Sequence, residues 1–534
     1  MNLNPNPLVK IGMEYIPLNQ NNMLNKISLL WADDEIELLK SHILFLKEKK
    51  INVTAVSSGE EAIQILGGKK YDIVLLDQLM TGIDGIETLK KIKKINPSIP
   101  IIMITKNEDE WMMNEAIASQ ISDYLIKPVN PNQILSSCKR ILSSQRIQEE
   151  KIVKDFLSIY KELDNEISKV KNISEWMKLI EEVIDWEIQL DKINNLSVEY
   201  FIMDLKQRLN DNFTKFFEEK YTKLLSENIF PNKFLDTEIK PLLNSGDKVA
   251  LIVLDCLRYD QAKLLSNDLF EHFNVQIHPT LSLVPTTTEF SRNSIFSGLL
   301  PNQIENSFPN EWQDMKSDLS KLNSYENFFL KSYCKSNINN KVSIFYDKVT
   351  NLKYGNKLNE KIKNYRNVDL ISVVVNFIDI LGHASVDSTA VKEIIPNDKS
   401  YRKEVRNWFL NSWLFDMIMK FKLDNRKIII TSDHGNTLIK KSVIVKADKN
   451  TSSGLRYKTG RNLSINPKYG FSFKNPDKYF LPKTNQNQNY IIAKSNYYFI
   501  YPNDFNYYKK NFENTYQHGG ISVDEVVLPV IKLL

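Results

Sequence analysis

Cysteine is scarce in this chain. Cys138, Cys256 and Cys334 are the three in 534 residues, widely spaced and in no C-x-x-C pair. That argues against a disulfide framework or a thiolate zinc site and reads them as small apolar core residues. Long apolar runs are also missing. No stretch approaches the roughly 18 residues that span a bilayer, so no transmembrane segment is expected. Residues 1–25, rich in Asn and Pro, lack the basic start and apolar core of a secretory signal, and the chain reads as cytoplasmic, with that segment as a flexible N-terminus. Excess charge is small at +5, giving little drive toward bulk nucleic-acid binding. What is present is a 42% apolar, 25% charged composition, that of a soluble globular protein, over a length that calls for several domains.

From residue 26 to about 145, short apolar runs (27–32, 73–77, 101–105, 124–126) alternate with helical periodicity, which predicts a doubly wound parallel sheet. Between 146 and 245 no strand-like run occurs, and Phe156, Tyr160, Leu163, Ile167, Val170, Ile173, Met177, Ile180 and Ile184 recur at helical steps. Asn172 with Glu175 three residues on reads as the cap of a second helix, so a helical bundle is predicted. Strand-like runs return at 249–254, 371–377, 428–431 and 526–530, predicting a large α/β domain over 246–534.

Carboxylates stand at strand ends of the first domain: Asp33, Asp34 and Asp77, with Thr105 and Lys127 ending later strands. In an open parallel sheet these ends meet at one crevice. Clustered acids repel one another, which a hard cation such as Mg²⁺ relieves. Asp77 then suits a phosphoryl-accepting nucleophile, with Lys127 as a point charge and Thr105 as a hydroxyl donor. This pattern resembles the response-regulator receiver family, with its flavodoxin-like fold, over about 120 residues. Pro128 follows the lysine as in the family, and Tyr124 matches its aromatic switch position. Thr81 departs from the family, which often has proline there.

Of six histidines, three sit in acid or glycine contexts: Asp379-Ile-Leu-Gly-His383, Asp433-His434-Gly and His518-Gly-Gly. With Asp255 at a strand end and Thr288 in Pro285-Thr-Thr-Thr288, this is a donor set for two borderline cations, Zn²⁺ or Mn²⁺. A metal pair can grip the nucleophile and the phosphoryl oxygens of an in-line displacement. In this order the motifs resemble the alkaline phosphatase superfamily, specifically its PglZ-type members, whose large domain is α/β/α. The resemblance implies one metal on Asp379, His383 and His518, the other on Asp255, Asp433 and His434, and Thr288 as nucleophile of a phosphodiesterase or phosphatase. Thr286 and Thr287 stay open as alternatives.

Receiver, helical middle and PglZ-type end together resemble the PorX-type response regulators of type IX secretion systems. That resemblance implies a sensor histidine kinase, an extracytoplasmic-function sigma factor or other secretion component, and a homodimer on phosphorylation. A non-catalytic signalling adaptor is the competing expectation. A DNA-binding regulator is disfavoured because no helix-turn-helix follows the receiver.

Finally, residues 446–483, within an insertion of about 440–500, carry nine Lys or Arg against two acids, interleaved with Tyr457, Tyr469, Phe471, Phe473 and Tyr479. Such a segment either stacks and grips an anionic, nucleotide-like phosphodiester or packs its aromatics on the domain as a lid.

Overall fold

The computed structural model describes residues 27–106 and 120–534 except 97, 194, 319–320, 339–340, 446–453, 484–486 and 502–504. The N-terminal segment 1–25 and the insertion residues Lys446, Asp448 and Lys449 thus lie outside the described residues. Two compact units emerge, residues 1–152 and 153–534.

In the first unit five parallel strands run in the order Ile51–Val56, Ile27–Ala32, Ile73–Asp77, Ile101–Thr105, Asp123–Ile126. The central strands are buried over their whole length, as expected of a parallel sheet covered on both faces. Two apolar layers form, one around Leu30, Val74 and Leu89 and one around Trp31, Ile102 and Ile134.

One helix runs continuously from Pro131 to Ile167. The helix Ile173–Leu190 begins as the sequence predicts: Asn172 Oδ1 accepts from the Glu175 backbone N–H at 3.0 Å, and the Glu175 carboxylate accepts from Lys171 N–H at 2.9 Å. It buries Trp176, Ile180, Val183 and Ile184, the helix Leu196–Leu224 buries Leu205, Leu209, Phe213 and Phe217, and Trp176 packs on Phe213 edge to face. Both helices belong to the same compact unit as everything C-terminal to them.

The large domain is built on a six-stranded sheet in the order Val275–Leu281, Val527–Leu533, Lys427–Thr431, Val249–Leu254, Leu370–Val375, Ile344–Val349. The last four are mutually parallel, and Val527–Leu533 is antiparallel to both its neighbours. Val249–Leu254 and Leu370–Val375 are fully buried β-branched and leucine runs, each such side chain contributing about 1.5–3 kcal/mol by leaving water. Cys138, Cys256 and Cys334 are buried, and burial pushes the Cys138 and Cys334 thiols up to about 12, which fits apolar packing rather than reactivity. Among the described residues no helix is long and apolar enough to cross a membrane.

Candidate phosphoacceptor and metal sites

In the first unit Asp77 ends its strand beside Asp33 and Asp34, and the three carboxylates converge within 4.8 Å. Lys127 Nζ donates to Asp77 Oδ2 at 2.8 Å and lies 3.5 Å from Asp33 Oδ2. Burial pushes the Asp77 carboxyl up, Lys127 works against this, and Asp33 and Asp34 add to it. Asp33 Oδ2 is buried with no hydrogen bond among the described residues. A buried carboxylate oxygen with no hydrogen bond, in a three-acid cluster that the Lys127 charge offsets only in part, fits a hard cation such as Mg²⁺. Tyr124 is half-buried and packs on the Ala32–Met103 core.

Two features of this crevice were not read from the sequence. Gln78, next to the phosphoacceptor, accepts a short hydrogen bond from the Thr105 hydroxyl. The backbone N–H of Thr81 donates to Asp34 Oδ2 at 3.1 Å. A proline at 81, the more usual residue of the resembled family, has no N–H to give. The departure at Thr81 therefore adds a tether for Asp34.

The second constellation lies at the C-terminal ends of three neighbouring parallel strands, the customary ligand position of an open α/β sheet. Asp255 follows Val249–Leu254, Asp433 and His434 follow Lys427–Thr431, and Asp379 follows Leu370–Val375. Asp379 and His383 sit one turn apart in the helix Phe377–Asp387, so both face the same side. His518 comes from the loop before the last strand.

The donors gather as two triads, each converging within 4.8 Å: Asp379, His383 and His518, and Asp255, Asp433 and His434. His383 Nε2 and His518 Nε2 are 3.2 Å apart, and Asp379 Oδ1 is 3.3 and 3.7 Å from them. Donors about 2.0–2.1 Å from a tetrahedral zinc stand roughly 3.3–3.4 Å from one another. In the other triad His434 Nε2 is 3.7 Å from Asp255 Oδ1 and 3.8 Å from Asp433 Oδ2. Those same two carboxylate oxygens are buried without any hydrogen bond among the described residues. His434 Nδ1 is 3.1 Å from the carbonyl of Gly435, which assigns its proton to Nδ1 and leaves the Nε2 lone pair for a cation. The His434 and His518 rings stack with centroids 4.3 Å apart, so the triads adjoin.

Electrostatics favour the same occupant. Burial, then the Asp433 charge, pushes Asp255 up, and burial lowers His518 to about 3 with His434 adding to it. Asp379 is held low by its histidines despite its burial. Buried like charges with free lone pairs fit a pair of cations.

The three threonines differ. Thr286 Oγ1 donates to Gly520 O and accepts from Gly519 N–H, both at 2.9 Å. Thr287 Oγ1 is buried without a hydrogen-bond partner among the described residues. Thr288, first residue of the helix Thr288–Ser297, places Oγ1 3.0 Å from His434 Nε2. Sequence reasoning missed Arg292, one turn on. Its buried guanidinium donates to Asp255 Oδ2 and to Glu326 Oε1, both at 2.6 Å, and lies 3.7 Å from Asp433. A helical step of four from Thr288 was the available signal.

A cavity of about 220 Å³ is lined among others by Glu289, which follows Thr288 in the chain, and by Trp312, Lys316, Tyr457 and Tyr490. Tyr457 Oη donates to Glu289 Oε1 at 2.9 Å, and the Tyr457 ring lies against Gly519. It therefore touches both the residue after Thr288 and the loop carrying His518. Trp312 Nε1 is buried without a hydrogen-bond partner among the described residues.

The basic insertion turns its aromatics inward, while Arg461, Lys468, Lys474 and Lys478 stay exposed. Tyr457–Arg461, Gly470–Phe473 and Gln488–Ala493 form a three-stranded antiparallel sheet. Phe473 and Tyr479 stack at 3.9 Å, Phe473 and Tyr221 of the helix Leu196–Leu224 at 6.1 Å, and Tyr469 packs on Tyr497. Arg456 and Lys458 are buried. Phe471, Phe473 and Tyr479 pack on one another and Phe473 and Tyr479 on Tyr221, whereas Tyr457 lines the cavity.

Three family models match the chain. The BREX system PglZ alkaline phosphatase-like domain covers residues 234–533, the response regulator receiver domain 29–139, and the PorX response regulator linker domain 146–225. The transcriptional regulatory protein ZraR of Klebsiella oxytoca is 32% identical over 127 residues, 24% of this chain and 29% of that protein. ZraR of Salmonella typhimurium is 34% identical over 121 residues, 23% of this chain and 27% of that protein. The chain thus spans less than a third of these curated relatives. A two-component response regulator structure from Clostridium difficile is 30% identical, covering 22% of this chain and 96% of that one with a TM-score of 0.21.

Proposed function

Since this chain belongs to the PglZ alkaline phosphatase-like family and is a PorX-type response regulator, we propose that Asp77 phosphorylation controls a two-metal phosphodiesterase in its C-terminal domain. The observation that carries the proposal is the pair of adjoining donor triads with the Thr288 hydroxyl 3.0 Å from His434.

Asp379, His383 and His518 would hold one metal, and Asp255, Asp433 and His434 the other. Zn²⁺ or Mn²⁺ there supplies Lewis-acid stabilisation of the phosphoryl oxygens and lowers the pKa of a neighbouring hydroxyl. The Thr288 hydroxyl gives up its proton to solvent and attacks phosphorus, its P–O bond forming as the bond to the leaving alcohol breaks and that alcohol takes up a proton; water then cleaves the threonyl phosphodiester, releasing a phosphomonoester and restoring the hydroxyl. Standing first in its helix, Thr288 faces the positive end of the backbone dipole, which favours an anionic oxygen and an incoming phosphate. Glu289, Trp312, Tyr457 and Tyr490 would receive a flat group attached to phosphorus, Trp312 Nε1–H offering a donor to it. An anionic, nucleotide-like phosphodiester fits that setting.

In the receiver, Asp77 would take its phosphoryl group from a sensor histidine kinase with Mg²⁺ on Asp33, Asp34 and Asp77. Lys127 and Thr105 would bind the phosphoryl oxygens and Tyr124 would follow Thr105. We place the protein in the cytoplasm, acting on type IX secretion through its product, a sigma factor or another secretion component.

A screen with bis-(p-nitrophenyl) phosphate, dinucleotides and the corresponding monoesters, run with Zn²⁺ and with Mn²⁺, tests this reading. Diester cleavage should exceed that of the chelated protein by roughly 100-fold or more. Full activity in chelator would sink it. Phosphorylation should also join two copies. Beryllofluoride with Mg²⁺ is expected to double the mass measured by light scattering, and an unchanged monomer would remove the dimer from the proposal.

A further inference from the structure

Arg456 is one of the nine cations of the insertion, yet its side chain is completely buried. Its Nε and Nη2 meet Glu525 Oε1 at 3.1 Å and Oε2 at 2.5 Å, and Nη1 donates to the carbonyl of Tyr497. Glu525 is equally buried and has further duties. Its Oε1 accepts from Gly520 N–H at 2.8 Å and its Oε2 from Ser522 Oγ at 2.7 Å. Its backbone carbonyl accepts from Gly435 N–H at 3.0 Å.

Those glycines are the flanks of the candidate ligands. Gly435 directly follows His434, and Gly520 stands two residues after His518. A Cβ at Gly520 would fall 2.2 Å from Arg456 Nη2, and one at Gly435 would fall 1.9 Å from the carbonyl oxygen of Asp524. The backbone at both loops is therefore pressed onto this ion pair and its neighbour. From the other side, Thr286 Oγ1 bridges Gly519 and Gly520, and its carbonyl lies 3.2 Å from His518 Nδ1. With Nδ1 so engaged, His518 turns Nε2 toward His383 and Asp379.

We propose that Arg456 and Glu525 are positioning residues for the metal centre: the ion pair fixes the His518 loop through Gly520 and braces the His434 loop through the Glu525 backbone. The insertion thereby contributes to the centre from within the fold, through an arginine rather than through its exposed cations. Only a planar, bidentate guanidinium can meet both carboxylate oxygens while facing Gly520, so lysine does not replace it. The inference rests on the two-metal reading above.

Cobalt titration of the full chain separates the two ideas. With excess Mg²⁺ present to fill the receiver site, wild type should take up two Co²⁺ with visible ligand-field bands, and failure to do so would sink the phosphodiesterase reading itself. The double variant Arg456→Met/Glu525→Leu removes both buried charges and should keep a cooperative melting transition, since an apolar pair of similar volume replaces a buried ion pair without loss. Its Co²⁺ affinity at the Asp379–His383–His518 triad is nevertheless expected to fall roughly 10–100-fold, with altered bands. Glu525→Gln, which keeps an acceptor for Gly520 but loses the ion pair, should lose roughly tenfold. Wild-type affinity and spectrum in either folded variant would overturn the proposal.

Discussion

Replacing Thr288 by valine is expected to lower phosphodiester turnover by roughly three orders of magnitude or more while two metal ions stay bound. The substitution exchanges a hydroxyl for a methyl of similar shape at the first residue of the helix Thr288–Ser297, so packing is preserved. None of the six candidate ligands changes, and metal content should therefore not change either. Metal analysis beside a kinetic assay makes the test specific. The neighbouring threonines serve as controls with different expected outcomes. Thr286→Val cuts the bridge to Gly519 and Gly520 and should disturb metal uptake along with turnover. Thr287→Val removes a buried hydroxyl that has no hydrogen-bond partner among the described residues and should leave activity within a few-fold of wild type. If Thr287→Val were the inactive one and Thr288→Val active, the nucleophile would be misassigned.

The strand-end acids explain why so much of the two sites was legible in advance. A parallel sheet brings the C-terminal ends of neighbouring strands together whatever their separation in sequence, so Asp33 and Asp77, or Asp255 and Asp433, could be placed from strand patterns alone. The helical cap at Asn172 and Glu175 was legible because it is local. What could not be read was the direction in which a charged side chain points. Arg456 looks like its eight basic neighbours in sequence, and its partner Glu525 lies 69 positions away. Arg292 and Gln78 escaped for the same reason: each is defined by a buried partner on another element. The insertion's aromatics could equally have stacked on a ligand or on Tyr221, and nothing local distinguishes the two.

A change at Arg402 should be the most damaging to stability. This buried arginine of the helix Asp398–Leu410 donates to Glu187 and Asp260 at 2.8 and 2.7 Å and to Asp191 at 2.8 and 3.0 Å. Arg258 grips Asp260 with two bonds and reaches Asp398 and Asp524, while Lys206 joins Glu187 and Asp398. Three cations thereby tie the helices Ile173–Leu190 and Leu196–Leu224 to the turn just after Asp255. Arg402→Met keeps most of the apolar stem but leaves Glu187, Asp191 and Asp260 short of a counter-charge. Breaking one side of such a buried network costs about 3–5 kcal/mol, so the melting temperature should drop on the order of 5–10 °C. The pH dependence gives the sign. Burial outweighs Arg402 at Asp191 and lifts its carboxyl from 3.8 to about 6. A carboxyl raised in the folded state stabilises fully below its unfolded value, near pH 4, and loses that contribution as pH climbs through about 6. Asp260 behaves oppositely in the wild type: burial raises it, but Arg258 and Arg402 together hold it low. Removing Arg402 lifts both carboxyls further, so the variant's deficit should be largest at pH 8 and shrink as pH falls toward 5. Equal melting curves for variant and wild type at pH 8 would mean that the network carries no stability. A deficit independent of pH would assign the loss to packing of the arginine stem instead of its charge.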